Sequence, residues 1–244
     1  MSRFYVPPEA VKGNEILITG VEAHHILDVM RLKKNDKVVT FDGTGREYTG
    51  FVKDVKRKSL TVEIIETRDG VSGKGGIKIT LIQAITKKEK LDYIVEKATE
   101  LGAHSIMPVV ADRTIPEWDE VKKKKQAERW QAIAKEASKQ CGRSDVPVIG
   151  AIKSFNEAAA GLIGFDLALI AALSDDFIGL KEALSGFKGG KAVIAIGPEG
   201  DFTSEEIACA KKAGFKPVSL GSRVLKSDTA GLAVLAIMDY ELTK

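Results

Sequence analysis

Residues 69–102 read DGVSGKGGIKITLIQAITKKEKLDYIVEKATELG. Three kinds of chain follow one another in that stretch. Asp69–Gly76 is glycine, serine and isolated charges with no aliphatic cluster, the composition of a flexible linker. Ile77–Ile85 is a short, β-branched apolar run, which predicts a strand. Beyond it Leu91, Ile94, Val95, Ala98 and Leu101 share one helical face, and Gly102 closes the helix. Linker, strand, helix: the order marks a boundary between two unlike halves of the chain.

Upstream of that boundary, short β-like runs dominate. They are Arg3–Val6, Glu15–Thr19, Lys37–Phe41, Tyr48–Val55 and Ser59–Glu66, with Lys56-Arg57-Lys58 as a hairpin tip. One helix, VEAHHILDVMRL, interrupts them, with Val21, His25, Val29 and Leu32 on one stripe. Several strands in so few residues predict a small barrel over residues 1–70, of a kind that often handles RNA. Residues 71–76 are the expected linker. Downstream, strands and helices alternate through Ser105–Ala111, a long helix from Trp118 to Cys141, Asp166–Leu173, Lys191–Gly197 and Lys216–Gly221. Unbroken apolar runs are what parallel strands covered on both faces look like. Residues 77–244 therefore read as a three-layer α/β domain.

Composition excludes several classes. The chain has 244 residues, 44% hydrophobic and 29% charged, which is globular and ample for a core. No apolar run approaches the roughly 18 residues of a membrane span, and the first residues lack the apolar centre of a secretory signal. Cys141 and Cys209 are far apart without metal-like spacing, so both read as reduced thiols of a cytoplasmic protein. A net charge of +3 allows a basic patch and no global nucleic-acid bias.

Candidate chemistry sits where strands end, since ligands of open α/β sheets bind beyond the carboxyl ends of strands. Three such ends stand out: Ala171–Asp176, Ile196–Phe202 and Ser219–Gly231. In the second, IGPEGDF, Gly197 and Gly200 serve a turn or a close backbone approach. Thr203 and Glu206 have capping-box spacing, which starts a helix at Ser204. The third leads into Ala230–Met238, apolar almost all round, which requires a core or a partner chain. Neither a dinucleotide fingerprint nor a complete P-loop is present. His24 and His25 are adjacent and diverge on a helix, so no metal site is expected. The run Lys122–Lys125 reads as a solvated helix exterior, Trp130 as a packing residue, and Gln140 and Arg143 as donors suited to phosphate or a base edge.

Five segments occur in one order: EAHHILDVMRLKKND (Glu22–Asp36), EKATELGAHSIMPV (Glu96–Val109), ERWQAIAKEASKQCGRSDVP (Glu128–Pro147), IGPEGDFTSEEI (Ile196–Ile207) and LGSRVLKSDTA (Leu220–Ala230). Together they closely resemble the RsmE family of ribosomal RNA methyltransferases, almost end to end. That resemblance implies transfer of a methyl group from S-adenosylmethionine to N3 of a uridine in 16S rRNA of the small subunit. It also implies an N-terminal PUA-like barrel that helps bind RNA, a C-terminal SPOUT domain with a trefoil knot, and a homodimer. Three positions depart from the family pattern: Asp201 where glycine is common, Lys226 where arginine is, and Asp228 where glutamate is.

The same resemblance implies the site. Leu173, Ser174, Ile196, Gly197, Pro198, Glu199, Gly200, Leu220, Gly221, Ser222, Leu225, Thr229 and Ala230 are the expected cofactor contacts, chiefly through main-chain groups. Arg223 is the expected catalytic contact to the uridine, with Glu199 as a candidate proton acceptor. Arg31, Arg113, Gln140, Arg143 and Lys226 are the expected RNA contacts. Two other readings stay open on the residues alone: a related enzyme acting on transfer RNA or a ribose 2′-oxygen, and an RNA-binding dimer without catalysis.

Overall fold

The computed structural model describes residues 3–70, 77–86, 90–114, 118–172 and 176–242. The expected linker, 71–76, lies outside them. The chain divides into two compact units, the described residues of Met1–Ser72 with Lys135–Val146, and those of Gly73–Ala134 with Pro147–Lys244.

The first unit is built on β1 (Arg3–Tyr5), β2 (Val11–Lys12), β3 (Glu15–Thr19), β4 (Lys37–Phe41), β5 (Arg46–Lys56) and β6 (Ser59–Asp69). They form one sheet in the order β1-β4-β5-β6-β3-β2, antiparallel except for β1 on β4. The alternation in Glu15–Thr19 sends Ile16 and Ile18 inward, where they pack with Phe4, Val38, Val52, Leu60 and Val62. The expected helix after β3 is a short α1 (Gly20–His24) running into a π-turn over His25–Val29. The Met30 amide reaches the His25 carbonyl at 2.9 Å, and the chain then leaves with Arg31 at φ 55. His24 turns to Asp28 at 2.6 Å while His25 packs edge-on against Phe4, so the adjacent rings diverge as expected.

Lys135–Val146, expected in the second half, packs in this first unit. Arg3 donates to the Arg143 carbonyl at 3.0 Å and to the Ser144 hydroxyl at 2.6 Å. Lys139 pairs with Glu22 at 3.0 Å, and the Val146 amide bonds the Gly43 carbonyl. Helical spacing reports which face is apolar and not which unit covers it.

The second unit holds a wholly parallel sheet. Its strands are β7 (Ile77–Ala84), β8 (Ser105–Val110), β9 (Val148–Ile149), β10 (Lys153–Ser154), β11 (Leu167–Ala171), β12 (Ile178–Gly179), β13 (Gly190–Ile196) and β14 (Lys216–Ser219). The order is β10-β8-β7-β13-β11-β14-β12, with β9 on β8. The helices are α2 (Lys90–Glu100), α3 (Glu120–Cys141, which belongs to the first unit from Lys135 on), α4 (Phe155–Ala160), α5 (Leu180–Leu184), α6 (Ser204–Lys212) and α7 (Ser227–Leu242). Of these, α2 and α7 pack on each other, and α7 also lies on β7 and β13; α4 and α6 form a second pair. Ala192–Ile196 is accordingly buried at every position. One core joins Ile82, Val109, Phe155, Ile170, Val193 and Phe202, with the Phe155 and Phe202 rings 4.3 Å apart. Trp130 packs as expected, 2% exposed, with its indole N–H on Asp92 at 2.9 Å.

Candidate functional site: a cavity at three adjacent strand ends

β13, β11 and β14 are neighbours in the sheet and all point the same way, so their carboxyl ends lie side by side. Described residues at these ends line a cavity of about 800 Å³. That volume lies within the range of small-molecule sites, roughly 300–1,000 Å³. β11 contributes Ala171 and Ala172 to the wall; the expected contacts Leu173 and Ser174 lie outside the described residues.

The loop after β13 supplies Ile196, Gly197, Pro198, Glu199, Gly200 and Asp201 to the lining. It is braced at each step. The Asp201 amide bonds the Pro198 carbonyl at 3.0 Å, closing a turn, and Asp201 sits at φ 62. That left-handed conformation favours glycine, with Asp tolerated because its short carboxylate can bond locally. Here the carboxylate accepts from the Phe202 amide at 2.8 Å, which accounts for the departure at this position. A Cβ on Gly197 would stand 3.2 Å from Asp201 Oδ1 and from the Phe202 nitrogen. Thr203 and Glu206 form the capping box, and Glu206, 1% exposed, also accepts from the Asp112 amide at 3.0 Å.

The loop after β14 contributes Leu220, Gly221, Arg223, Leu225, Lys226 and, at the start of α7, Ala230. Gly221 is at φ 125, a region that favours glycine. Ser222 and Thr229, expected contacts, are exposed and outside the cavity wall, and the Thr229 amide is turned to Asp228. Arg223 is exposed on the lining, with no side-chain hydrogen bond or ion pair among the described residues.

Charge around the cavity involves a residue the sequence reading missed. Lys90, at the start of α2, lines the wall and stands 3.4 Å from Glu199 and 3.8 Å from Asp228. Its ammonium thus faces carboxylates from two of the loops. Phe177, Val218, Ser219, Val224 and Ser227 were missed as well. Ser227 had a readable signal: it begins the helix beside the Asp228 and Thr229 that were noticed.

The expected RNA contacts scatter. Arg31 and Gln140 are exposed in the first unit, and Lys226 is exposed beside the cavity. Arg113 donates to the Gly200 carbonyl at 2.6 Å, so it braces the β13 loop. Arg143 needs correction as a surface contact. It is 6% exposed, and its guanidinium grips Asp145 through Nε at 3.1 Å and Nη2 at 2.6 Å. A fork closed on a carboxylate inside the fold does not present itself to a phosphate.

The cavity has room for a nucleoside-sized ligand. Glycines permit close approach, apolar walls come from Ile196, Val218 and Leu225, and charged groups stand at Lys90, Glu199 and Arg223. Among the described residues there is no group of three or more His, Cys, Asp or Glu poised for a metal, and no helix long and apolar enough to cross a membrane.

Comparison with known proteins gives this geometry its context. The RNA methyltransferase domain family matches residues 74–239, and the RNA methyltransferase PUA domain family matches residues 18–65. The ribosomal RNA small subunit methyltransferase E of Bacillus subtilis is 32% identical over 229 residues, covering 92% of this chain and 89% of that one. The crystal structure of the enzyme of that name from Neisseria gonorrhoeae, bound to S-adenosyl methionine, superposes with a TM-score of 0.85 at 31% identity, over 98% of this chain and 97% of that one. A Legionella pneumophila methyltransferase solved with bound SAM gives 0.85 at 28% identity, over 98% and 96%. With both family matches in sequence order and its relatives covered almost end to end, this chain belongs to the small-subunit ribosomal RNA methyltransferase E family.

Proposed function

We propose that this chain transfers a methyl group from S-adenosylmethionine to N3 of one uridine in 16S ribosomal RNA. The observation that carries the reading is the cavity at the ends of β13, β11 and β14, with Arg223 unpaired on its wall. S-adenosylmethionine bound there supplies a methyl already activated on a cationic sulfonium. Gly197–Gly200, Leu220, Gly221 and Leu225 hold it through their peptide groups, and the apolar walls exclude water.

The remaining chemistry belongs to the base. Uridine N3 carries a proton at neutral pH and is a poor nucleophile until that proton leaves. Glu199 accepts the N3 proton and passes it to solvent, for which its half-exposed carboxylate is placed. As the N3–H bond breaks, negative charge spreads onto O2 and O4, and the Arg223 guanidinium stabilises it. Lys90 keeps Glu199 and Asp228 from repelling that anion.

The first unit positions RNA. Arg31, in a left-handed conformation and exposed, and Gln140 at the end of α3 offer donors there, and Lys226 offers one beside the cavity. The protein works as a homodimer in the cytoplasm. Supporting the dimer, α7 buries Val234, Leu235 and Met238 yet leaves Ile237 40% and Tyr240 84% exposed. Mass spectrometry of ribosomal RNA from a deletion strain tests the whole reading. Loss of one methyl from one base-methylated uridine supports it; a loss from transfer RNA or from a ribose oxygen overturns it.

A further inference from the structure

Gln83 is an anomaly in its strand. It lies near the end of β7, opposite Ile196 of β13, in a run whose other members from Leu81 to Ala84 are aliphatic. Its side chain is wholly buried. Its Nε2 donates to the Ser227 hydroxyl at 2.9 Å and, more weakly, to the Ala84 carbonyl at 3.2 Å. Ser227 in turn donates to the Gly197 carbonyl at 2.5 Å. Oε1 has no partner among the described residues. It faces Gly231, where an added Cβ would lie 2.8 Å from it.

The proton directions follow from chemistry alone. A carbonyl only accepts and a hydroxyl has one proton, so that of Ser227 must go to Gly197. The Ser227 oxygen is then left to accept, and only the amide NH₂ of Gln83 can donate to it. Donation therefore runs one way, from Gln83 through Ser227 to Gly197. The orphaned Oε1 is the cost of that orientation, since burying an unpaired polar atom is unfavourable. A core serving packing alone is better served by an aliphatic side chain at position 83. What the relay secures is the peptide plane after Gly197, and with it the course of the loop through Gly200. It also ties that loop to the start of α7, which carries the Asp228 end of the other loop.

The structure assigns Gln83 and Ser227 as positioning residues that set the cofactor loop after β13. This rests on the proposal that S-adenosylmethionine binds in the cavity. The pair acts before any chemistry, on the affinity for the cofactor.

Calorimetric titration with S-adenosylmethionine, run beside thermal unfolding of the ligand-free protein, tests the assignment. Ser227→Ala and the double variant Gln83→Met/Ser227→Ala are expected to weaken binding about ten-fold, the size of one lost buried hydrogen bond. Both variants leave the Gly197 carbonyl without its donor, so both are expected to lower the ligand-free melting temperature, the double variant less because it also removes the unpartnered Oε1 of Gln83. Ser227→Thr, which keeps the hydroxyl, is expected to recover most of the affinity. In steady state the loss appears in KM for the cofactor with kcat little changed. Wild-type affinity in Ser227→Ala and in the double variant overturns the assignment and leaves the cofactor site standing. A wild-type protein that does not bind S-adenosylmethionine overturns both.

Discussion

In the first unit Glu47 is buried between the guanidiniums of Arg3 and Arg68, and Arg143 is closed on Asp145. Around the cavity of the second unit, Arg223 and Lys226 have no side-chain partner among the described residues, and Lys90 holds its two carboxylates at 3.4 and 3.8 Å. The same residue types are saturated in one place and left available in the other. A guanidinium already bonded to carboxylates contributes to folding. One that faces a cavity without a counter-ion gains its partner only when a substrate arrives.

Five variants break or sharpen that contrast. The largest effect is expected from Arg223→Ala, which should lower methylation by about 100- to 1,000-fold, the usual loss when one preorganised donor to a developing anion is removed. Calorimetry should find its cofactor affinity within a few-fold of wild type; full activity would place the catalytic cation elsewhere. Next is Gly197→Val. Its Cβ meets the returning loop at 3.2 Å, so S-adenosylmethionine affinity should fall more than about ten-fold, at least 1.4 kcal/mol. Circular dichroism would verify that the fold is kept.

Glu47→Gln probes the saturated side. Burial acts to raise the Glu47 carboxyl, but the hydrogen bonds and charges of Arg68 and Arg3 outweigh it and hold it below the usual glutamate value. A carboxylate held low in the folded state stabilises fully above its unfolded pKa and loses that contribution as pH falls through the folded one. Glu47→Gln should therefore cost about 1–2 kcal/mol at neutral pH. The gap between the two proteins should close in acid, as melting curves between pH 7 and pH 3 would reveal. The smallest effect is expected from Lys226→Ala, a few-fold loss of RNA affinity with the salt-dependence slope reduced by about one. Arg143→Ala, by contrast, should lower the melting temperature and leave that slope unchanged, because its charge is spent on Asp145.

Most strands and the helix start at Ser204 were legible in the sequence because they rest on local signals: alternation in Glu15–Thr19, the unbroken run in Lys191–Ile196, the Thr203–Glu206 spacing. The cavity wall was legible in outline, since glycines and small residues at strand ends have few other uses. Less visible was anything that depends on which side chain a residue meets. Arg143 read as a free donor because spacing does not say that Asp145, two residues on, folds back onto it. Lys90 carried no signal of its own in KKEKLDYIVEK, since its carboxylates lie more than a hundred positions away. Gln83 did carry a signal, a lone amide in ITLIQAI, and it passed unremarked because a strand assignment tolerates one polar residue. The π-turn at His25–Val29 left no mark that a helical stripe could distinguish.

The order β7-β13-β11-β14 has a consequence for how the protein is made. Strands that touch in the finished sheet leave the ribosome far apart in time: Ile77–Ala84 must wait for Gly190–Ile196, and Leu167–Ala171 for Lys216–Ser219. Contacts so distant along the chain form late in folding. A nascent chain therefore lacks the complete cavity wall until Ala230 has emerged. If the cavity holds the methyl donor as proposed, any fragment released before that point is inert toward it, however well its earlier part has folded.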